Sequence, residues 1–351
     1  MIRSKIAGIG HYVPEKVITN HDLERLMETS DEWIQERTGI QERRFGNRAE
    51  ETTTTMGARA AEKAIEHADI DKNDIDFIVF ATLSPDYFFP GCGVLVQREL
   101  DIASTEIGAL DVRNQCSGFV YGLSVADQFI RSGMYKNILL IGAEMHSMGL
   151  DMTTRGRDVS VIFGDGAAAV ILQPTEDSDQ GVLSTHLHAD GRHAEELAFI
   201  SPGSHGGRYG EKEKYGFPDN EFESVFITRK MIDDGLIYPN MNGKYVFKYA
   251  VQKFPAAVME ALTTNGYKPS DLDLLIPHQA NLRISQFVQR TLRLEDHQVF
   301  NNIQKYGNTT AASIPLALSE AVDSGKVKRG DLICLAAFGS GFTWGSALLK
   351  W

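Results

Sequence analysis

Apolar and polar positions along the chain follow two periods, and the same succession of periods occurs twice. The opening "MIRSKIAGIGHYVPEKV" alternates as a strand does. Residues 60–80, "AAEKAIEHADIDKNDIDFIVF", read as an amphipathic helix, a turn and a D-x-D-apolar strand. Residues 257–277, "AVMEALTTNGYKPSDLDLLIP", give that succession again. Further on, "CSGFVYGLSVADQFIRSGMYKNILLIGAE" starts at Cys116 and "NTTAASIPLALSEAVDSGKVKRGDLICLAAFG" starts at Asn308. Both carry a Ser-Gly pair at the same distance, Ser132-Gly133 and Ser324-Gly325, with a strand beyond it. The repeat predicts two similar halves, 1–175 and 176–351. Helices alternating with apolar strands predict an α/β protein with mostly parallel, covered sheets. It also makes Cys116 and Asn308 equivalent, each at a loop-to-helix junction. Halves packed about a pseudo-twofold axis bring those junctions to one site.

Composition narrows the setting. The 351 residues suffice for a large core, and 42% apolar with 23% charged residues is the balance of a soluble globular protein. No stretch approaches the ~20 apolar residues of a membrane span, and the first residues contain no export run. A cytoplasmic protein without membrane contact is expected. A formal charge of −12 argues against nucleic acid as a partner but leaves room for a local basic patch. Cys92, Cys116 and Cys334 have neither CxxC nor Cys/His spacing, so no disulfide framework and no metal site are expected. Cys334, in "DLICLAAFG", reads as a core thiol. Cys92 lies between two glycines and reads as a loop residue without a role.

Cys116 is different because a helix start suits a nucleophilic thiol. Unsatisfied N–H groups and the helix dipole favour an anion there by up to ~2 kcal/mol. That is enough to bring a thiol from ~8.5 to around 7. In "LDLLIPHQANLRI", His278 ends an apolar strand, where open α/β sheets place ligands. Asn308 follows Tyr306-Gly307 at a helix start, where an N-cap is the simplest role. "AAFGSGFTWGSALLKW" adds a glycine-rich loop after a strand, whose N–H groups suit an oxyanion or a plain tight turn. Each signal is weak alone. Together, Cys116, His278 and Asn308 point to shared chemistry.

The chain resembles the β-ketoacyl-acyl-carrier-protein synthase III family of the thiolase superfamily. The resemblance runs along the whole chain apart from about 195–242. It is carried by "SDEWIQERTGIQERR", "DVRNQCSGFVYGL", "VIFGDGAAAV", "PHQANLRI", "YGNTTAASIPLAL" and "FGSGFTWGSAL". It implies a thiolase fold: two βαβαβαββ-type halves in a five-layered αβαβα arrangement, the first with the nucleophilic cysteine and the second with His and Asn. The implied reaction is a decarboxylative Claisen condensation. An acyl-CoA primer acylates Cys116, then malonyl-acyl-carrier protein loses CO₂ and attacks the acyl group. The product is a 3-oxoacyl-carrier protein, the initiation of fatty acid synthesis.

The same resemblance makes His278 and Asn308 donors to the thioester oxygen. It makes the N–H groups of Cys116 and Ser340 a second oxyanion site, with serine at Ser340 where the family often has glycine. Trp33, Arg37 and Arg157 are implied for CoA, Asn281 for a pantetheine or active-site contact, and Phe247 and Phe89 for the tunnel. Phe89 is expected to reach across a homodimer. Lys248, Arg283 and Lys253 are the implied docking residues for an acidic carrier protein, with Lys244 nearby where the family commonly has asparagine. No cofactor is implied beyond the CoA thioester used as substrate.

The segment 195–242 is roughly thirty residues longer than usual in the family. Its Gly, Pro and charge content reads as loop with one short helix around 222–234, and either a surface excursion or a cap near the acyl tunnel fits. A related condensing enzyme or acyltransferase of secondary metabolism, with a longer primer or another acceptor, is the alternative function. Papain-like proteases share the order Cys, His, Asn. This chain lacks their Cys-Trp signature, and its repeated halves have no place in that fold.

Overall fold

A computed structural model describes residues 2–104, 106–205, 212–218 and 225–351. In the first half, strand β1 (Arg3–Tyr12) leads to a small ribbon, β2 (Val17–Thr19) with β3 (Glu42–Arg44), around helices α1 (Asn20–Glu24) and α2 (Asp31–Thr38). There follow α3 (Thr53–Ala68), β4 (Phe77–Ala81), α4 (Cys92–Glu99), β5 (Gly108–Val112), α5 (Gly118–Arg131), β6 (Ile138–Glu144), α6 (Arg157–Ser160) and β7 (Gly166–Thr175). The second half runs β8 (Gly181–Ala189), β9 (Leu197–Ala198), α7 (Lys212–Tyr215), α8 (Arg229–Asp233) and β10 (Asn240–Met241). It continues with α9 (Gly243–Thr264), β11 (Leu274–Pro277), α10 (Leu282–Leu292), α11 (Ile303–Tyr306), α12 (Ser313–Asp323), β12 (Leu332–Gly339) and β13 (Thr343–Lys350).

The two main sheets have matching orders, β1-β7-β6-β4-β5 and β8-β13-β12-β11. An isolated parallel bridge, Leu275 with Val299, stands where the second sheet would carry its fifth strand. The sheets are mixed. Of the pairs within them, β4–β5, β4–β6 and β11–β12 are parallel, while β1–β7, β6–β7, β12–β13 and β8–β13 are antiparallel. The expectation of mostly parallel sheets missed β7 and β13, each of which runs against both of its neighbours; for β12–β13 the short connection 340–342 forces that pairing.

α5 and α12 lie between the sheets, and Phe119, Leu123, Ile314 and Leu318 pack there with Val79, Ile276 and Leu335 from the strands. α3 and α4 cover the far face of the first sheet, α9 and α10 that of the second. The result is five layers, α3/α4, sheet, α5/α12, sheet, α9/α10. The first sheet ends at Thr175 and the second begins at Gly181.

Two local readings change. Cys92 opens α4 rather than sitting in a loop, because Asp111 accepts the N–H groups of Cys92 (2.6 Å) and Gly93 (2.8 Å). The expected helix at 222–234 is the shorter α8, Arg229–Asp233, capped by the Thr228 hydroxyl, with a second short helix at Lys212–Tyr215; residues 219–224 lie outside the described residues. Cys334 is a buried strand residue, as its sequence context suggests.

Candidate active site

A 3₁₀ turn, Gln115–Ser117, carries Cys116 into α5, and a matching turn, Thr310–Ala312, leads into α12. Both turns start with a left-handed residue, Gln115 at φ 46° and Thr310 at φ 48°. The geometric partner of Cys116 is therefore Ala311, not Asn308. Counting from the Ser-Gly pairs misplaced it because α12 has 11 residues and α5 has 14. The turns still converge: a Cβ on Gly118 would stand 3.5 Å from that of Ala311. Asn308 enters the site two residues before its turn, held by a parallel bridge to Phe163 of the first half.

Cys116, His278 and Asn308, all buried, line one cavity of about 130 Å³ together with Phe247 and Asn281. The structure brings these five expected residues together. His278 Nδ1 lies 2.7 Å from Ser313 Oγ, and its Nε2 is buried without a hydrogen-bond partner among the described residues. Ser313 Oγ also lies 2.8 Å from the Thr310 carbonyl. Ser313 Oγ donates its one proton to that carbonyl, so Nδ1–H donates to Ser313 in the resting site, and turning the hydroxyl onto Nδ1 moves the imidazole hydrogen to Nε2. Burial holds His278 down at about 3, so the ring is neutral at ordinary pH. Asn308 Oδ1 accepts the Thr310 N–H at 2.8 Å, which leaves the Nδ2 end of its carboxamide as the donor.

Cys116 departs from expectation. Burial pushes its thiol up to about 12, opposed by the Ser340 backbone N–H and reinforced by the Glu144 carboxylate. Removing a thiolate from water outweighs the few kcal/mol that a helix start supplies, so the free enzyme holds a thiol. Gly339 is obligatory beside it, since a Cβ there would fall 2.4 Å from Cys116 Cβ and 2.8 Å from Sγ. Ser117 Oγ, 2.8 Å from Thr343 Oγ1, fastens the cysteine turn to the same loop.

Cys116 also lines a second cavity of about 260 Å³. Phe163 and Leu197 are shared by both, so the sulfur sits at the neck between two chambers. A larger polar cleft of about 680 Å³, around Tyr12, Phe45 and Arg59, touches none of these groups.

At the rim, the guanidinium carbons of Arg37 and Arg157 lie 4.4 and 5.3 Å from the Trp33 ring centroid. Asn281 Nδ2 donates to the Arg37 carbonyl at 2.8 Å, tying this cluster to the cavity wall. Arg283 lies 5.9 Å from the Phe247 ring centroid, and both Arg283 and Lys248 are exposed, as is Lys244. Lys253 does not join them. Five residues past Lys248 it is rotated well around α9, and its Nζ sits 4.7 Å from the Trp344 ring. Phe89 is 81% exposed and lines neither cavity of its own chain.

Several site residues escaped sequence reasoning. His146 joins the second cavity and bonds Thr310 Oγ1 at 2.5 Å; its position two residues past the apolar strand "ILLIGAE" was the available signal. Glu144, fully buried, accepts from Ser84 Oγ (2.6 Å), the Leu83 N–H (3.1 Å) and the Ala311 N–H (3.4 Å). Gln279 braces the strand end behind His278, donating to the Pro277 carbonyl and accepting from the Asn302 and Ile303 N–H groups. Nothing in the sequence marked Ser313.

Comparison with known proteins gives a consistent result. The family profile described as 3-oxoacyl-[acyl-carrier-protein] synthase III matches residues 110–191, and that of its C terminal matches 262–351. A β-ketoacyl-[acyl-carrier-protein] synthase III of Xanthomonas euvesicatoria is 47% identical over 350 residues, spanning 100% of this chain and 99% of the relative. The crystal structure of 3-oxoacyl-[acyl-carrier-protein] synthase III from Aquifex aeolicus superposes with a TM-score of 0.85 at 42% identity, covering 99% and 100% of the two chains. The priming β-ketosynthase of the R1128 polyketide pathway gives 0.84 at 30% identity, covering 99% and 96%.

Proposed function

The chain belongs to the β-ketoacyl-acyl-carrier-protein synthase III family and has its thiolase fold, and on that premise we propose how its residues divide the work of a ketoacyl synthase. The Cys116 sulfur attacks the carbonyl of an acyl-CoA. The bond to the CoA sulfur breaks, an acyl-enzyme forms, and the thiol proton leaves on CoA. Malonyl-acyl-carrier protein then enters; its carboxylate departs as CO₂ and the electron pair moves into an enolate. His278 Nε2–H and the Asn308 amide donate to that enolate oxygen. The carbanion attacks the acyl carbon, the sulfur of Cys116 leaves and is reprotonated, and 3-oxoacyl-carrier protein departs, initiating fatty acid synthesis.

One observation carries this reading: an imidazole nitrogen with no partner among the described residues, a carboxamide and a thiol around a single cavity. Covalent capture splits a hard carbon–carbon bond formation into two steps. Neutral donors aimed at developing charge are each worth roughly 3 kcal/mol, and a histidine held near 3 stays neutral throughout. The N–H groups of Ser340 and Cys116, both directed at the sulfur, support a role as donors to the oxyanion of acyl transfer.

The Trp33, Arg37 and Arg157 cluster suits an adenine face and phosphates, with the pantetheine arm passing Asn281 and Phe247. Lys248 and Arg283 at that mouth suit an acidic carrier protein. Pairing with a second copy is supported by β5, an edge strand whose Ala109 and Leu110 are exposed, and by the exposed Phe88–Phe89 turn. No cofactor enters the scheme, and a cytoplasmic setting is part of it.

Mass spectrometry of the protein after exposure to acyl-CoAs and then malonyl-carrier protein tests the whole. Wild type should gain and then lose an acyl mass with product formation. Cys116→Ala should never load, and His278→Ala or Asn308→Ala should load but not condense. Loading on Cys116→Ala would overturn the assignment. Loading without discharge to malonyl-carrier protein would favour another acceptor, as in secondary metabolism.

A further inference from the structure

The 260 Å³ cavity beside Cys116 has a neighbour. It meets an outer cavity of about 390 Å³, and the two share four lining residues, Leu83, His146, Phe199 and Pro239. Phe199 and Pro239 lie inside the long segment 195–242, next to its paired strands β9 and β10. The outer cavity also carries Tyr87 and Met148, which are 56% and 58% exposed, while Phe199 is 44% exposed. Three large, partly exposed side chains thus line an outer space that shares four wall residues with the chamber beside the cysteine.

Resting on the acyl-transfer reading above, we propose that the enzyme takes medium-chain acyl primers, whose tails fill the inner chamber, and that Phe199 with Pro239 forms a gate through which longer tails reach the outer cavity. A methylene is about the size of a water molecule, whose share of liquid volume is ~30 Å³, so 260 Å³ accommodates a chain of about eight carbons. An acetyl group leaves most of that chamber unfilled and forgoes its contacts. Longer chains would pass among Leu83, His146, Phe199 and Pro239, which line both cavities. The long segment is then a specificity element rather than a surface excursion.

The test measures initial rates of Cys116 acylation by acetyl-, octanoyl- and dodecanoyl-CoA, read by intact-protein mass. It uses wild type, Phe199→Ala and Phe199→Trp, with a melting curve for each. Phe199 is half-exposed, so both variants should fold. Wild type should load octanoyl at least about tenfold faster than acetyl, because each further buried methylene is worth roughly a fourfold gain. Phe199→Ala should raise the dodecanoyl-to-octanoyl ratio by about fourfold or more, and Phe199→Trp should lower it. Preference for acetyl, or a ratio unmoved by both substitutions, would overturn the gate while leaving acyl transfer intact. Loading of wild type by none of the three would overturn the acyl-transfer reading itself.

Discussion

The two halves use one scaffold for opposite purposes, and the contrast is clearest where each sheet ends against the other half's helix turn. Asp76 donates its N–H to the Asn137 carbonyl and Asp273 donates to that of Leu332, which fixes the register of β4–β6 against β11–β12. In that register Glu144, at the end of β6, corresponds to Gly339, at the end of β12. Glu144 meets Ala311 across the middle layer, and Gly339 meets Cys116. One crossing is filled with a carboxylate that gathers N–H and O–H donors. The other is emptied to a glycine so that a sulfur fits and a loop N–H reaches it. The imidazole of His278 likewise stands where the first half has Ala81. A repeated architecture thus yields one bracing corner and one reactive corner.

Substitutions that erase this difference should have the largest effect. Gly339→Ala places a methyl against the sulfur, and Cys116 acylation should fall by about 10²-fold or more, since displacements of this order cost that much; intact-mass kinetics reads it, and unchanged loading would break the comparison. Ser313→Ala removes the hydroxyl that, turned from the Thr310 carbonyl onto Nδ1, places the His278 hydrogen on Nε2. Loading should persist while condensation slows by about tenfold, a bias of ~1.4 kcal/mol against the needed tautomer. Equal losses in both half-reactions would make Ser313 merely structural.

The bracing corner should respond in stability. Glu144→Gln replaces a buried acceptor of several bonds with a group that accepts at one end and donates at the other, costing about 1–3 kcal/mol in denaturant unfolding. Because Glu144 helps raise the Cys116 thiol, the same variant should alkylate faster with iodoacetamide at pH 8. In wild type, alkylation should keep rising beyond pH 9 without a plateau near 7.

The smallest effect is the pH dependence of melting. His278 and His146 are held at about 3 by burial, below the ordinary ~6.5. Between those values the folded state binds fewer protons than the unfolded, so stability is full above 6.5 and is lost as pH falls. Burial raises Glu144 to about 7, which acts oppositely between about 4.5 and 7. Two histidines outweigh one carboxyl, and melting should fall from pH 6.5 to 5. It should fall more steeply in Glu144→Gln.

Much of this was legible in the chain. The order of helices and strands follows from hydrophobic period, and the repeat gave away two halves because each copy must bury the same faces. Cys116, His278 and Asn308 were visible as polar residues at element ends. What was hidden depends on through-space geometry. The thiol's elevation follows from burial, which no local spacing reports. The partnership of Cys116 with Ala311 was masked by a helix shortened by three residues. Glu144 reads as the last charge after a strand, and only the opposing half's N–H groups give it a purpose. Lys253 looked like part of a basic face until the helical rotation set it over Trp344.

Ser340 stands where a glycine would have served as a backbone donor alone, yet its hydroxyl donates to the Leu197 carbonyl at 2.5 Å. Leu197 is part of the wall that Cys116's two chambers share. The loop that presents an N–H to the sulfur is thereby stapled to the ceiling over the primer. On the proposed reading, a bulky tail that displaced Leu197 would pull on the same hydrogen bond, and size selection would then be tied to reaction rate. An engineer who wishes to alter one without the other would begin by cutting that staple.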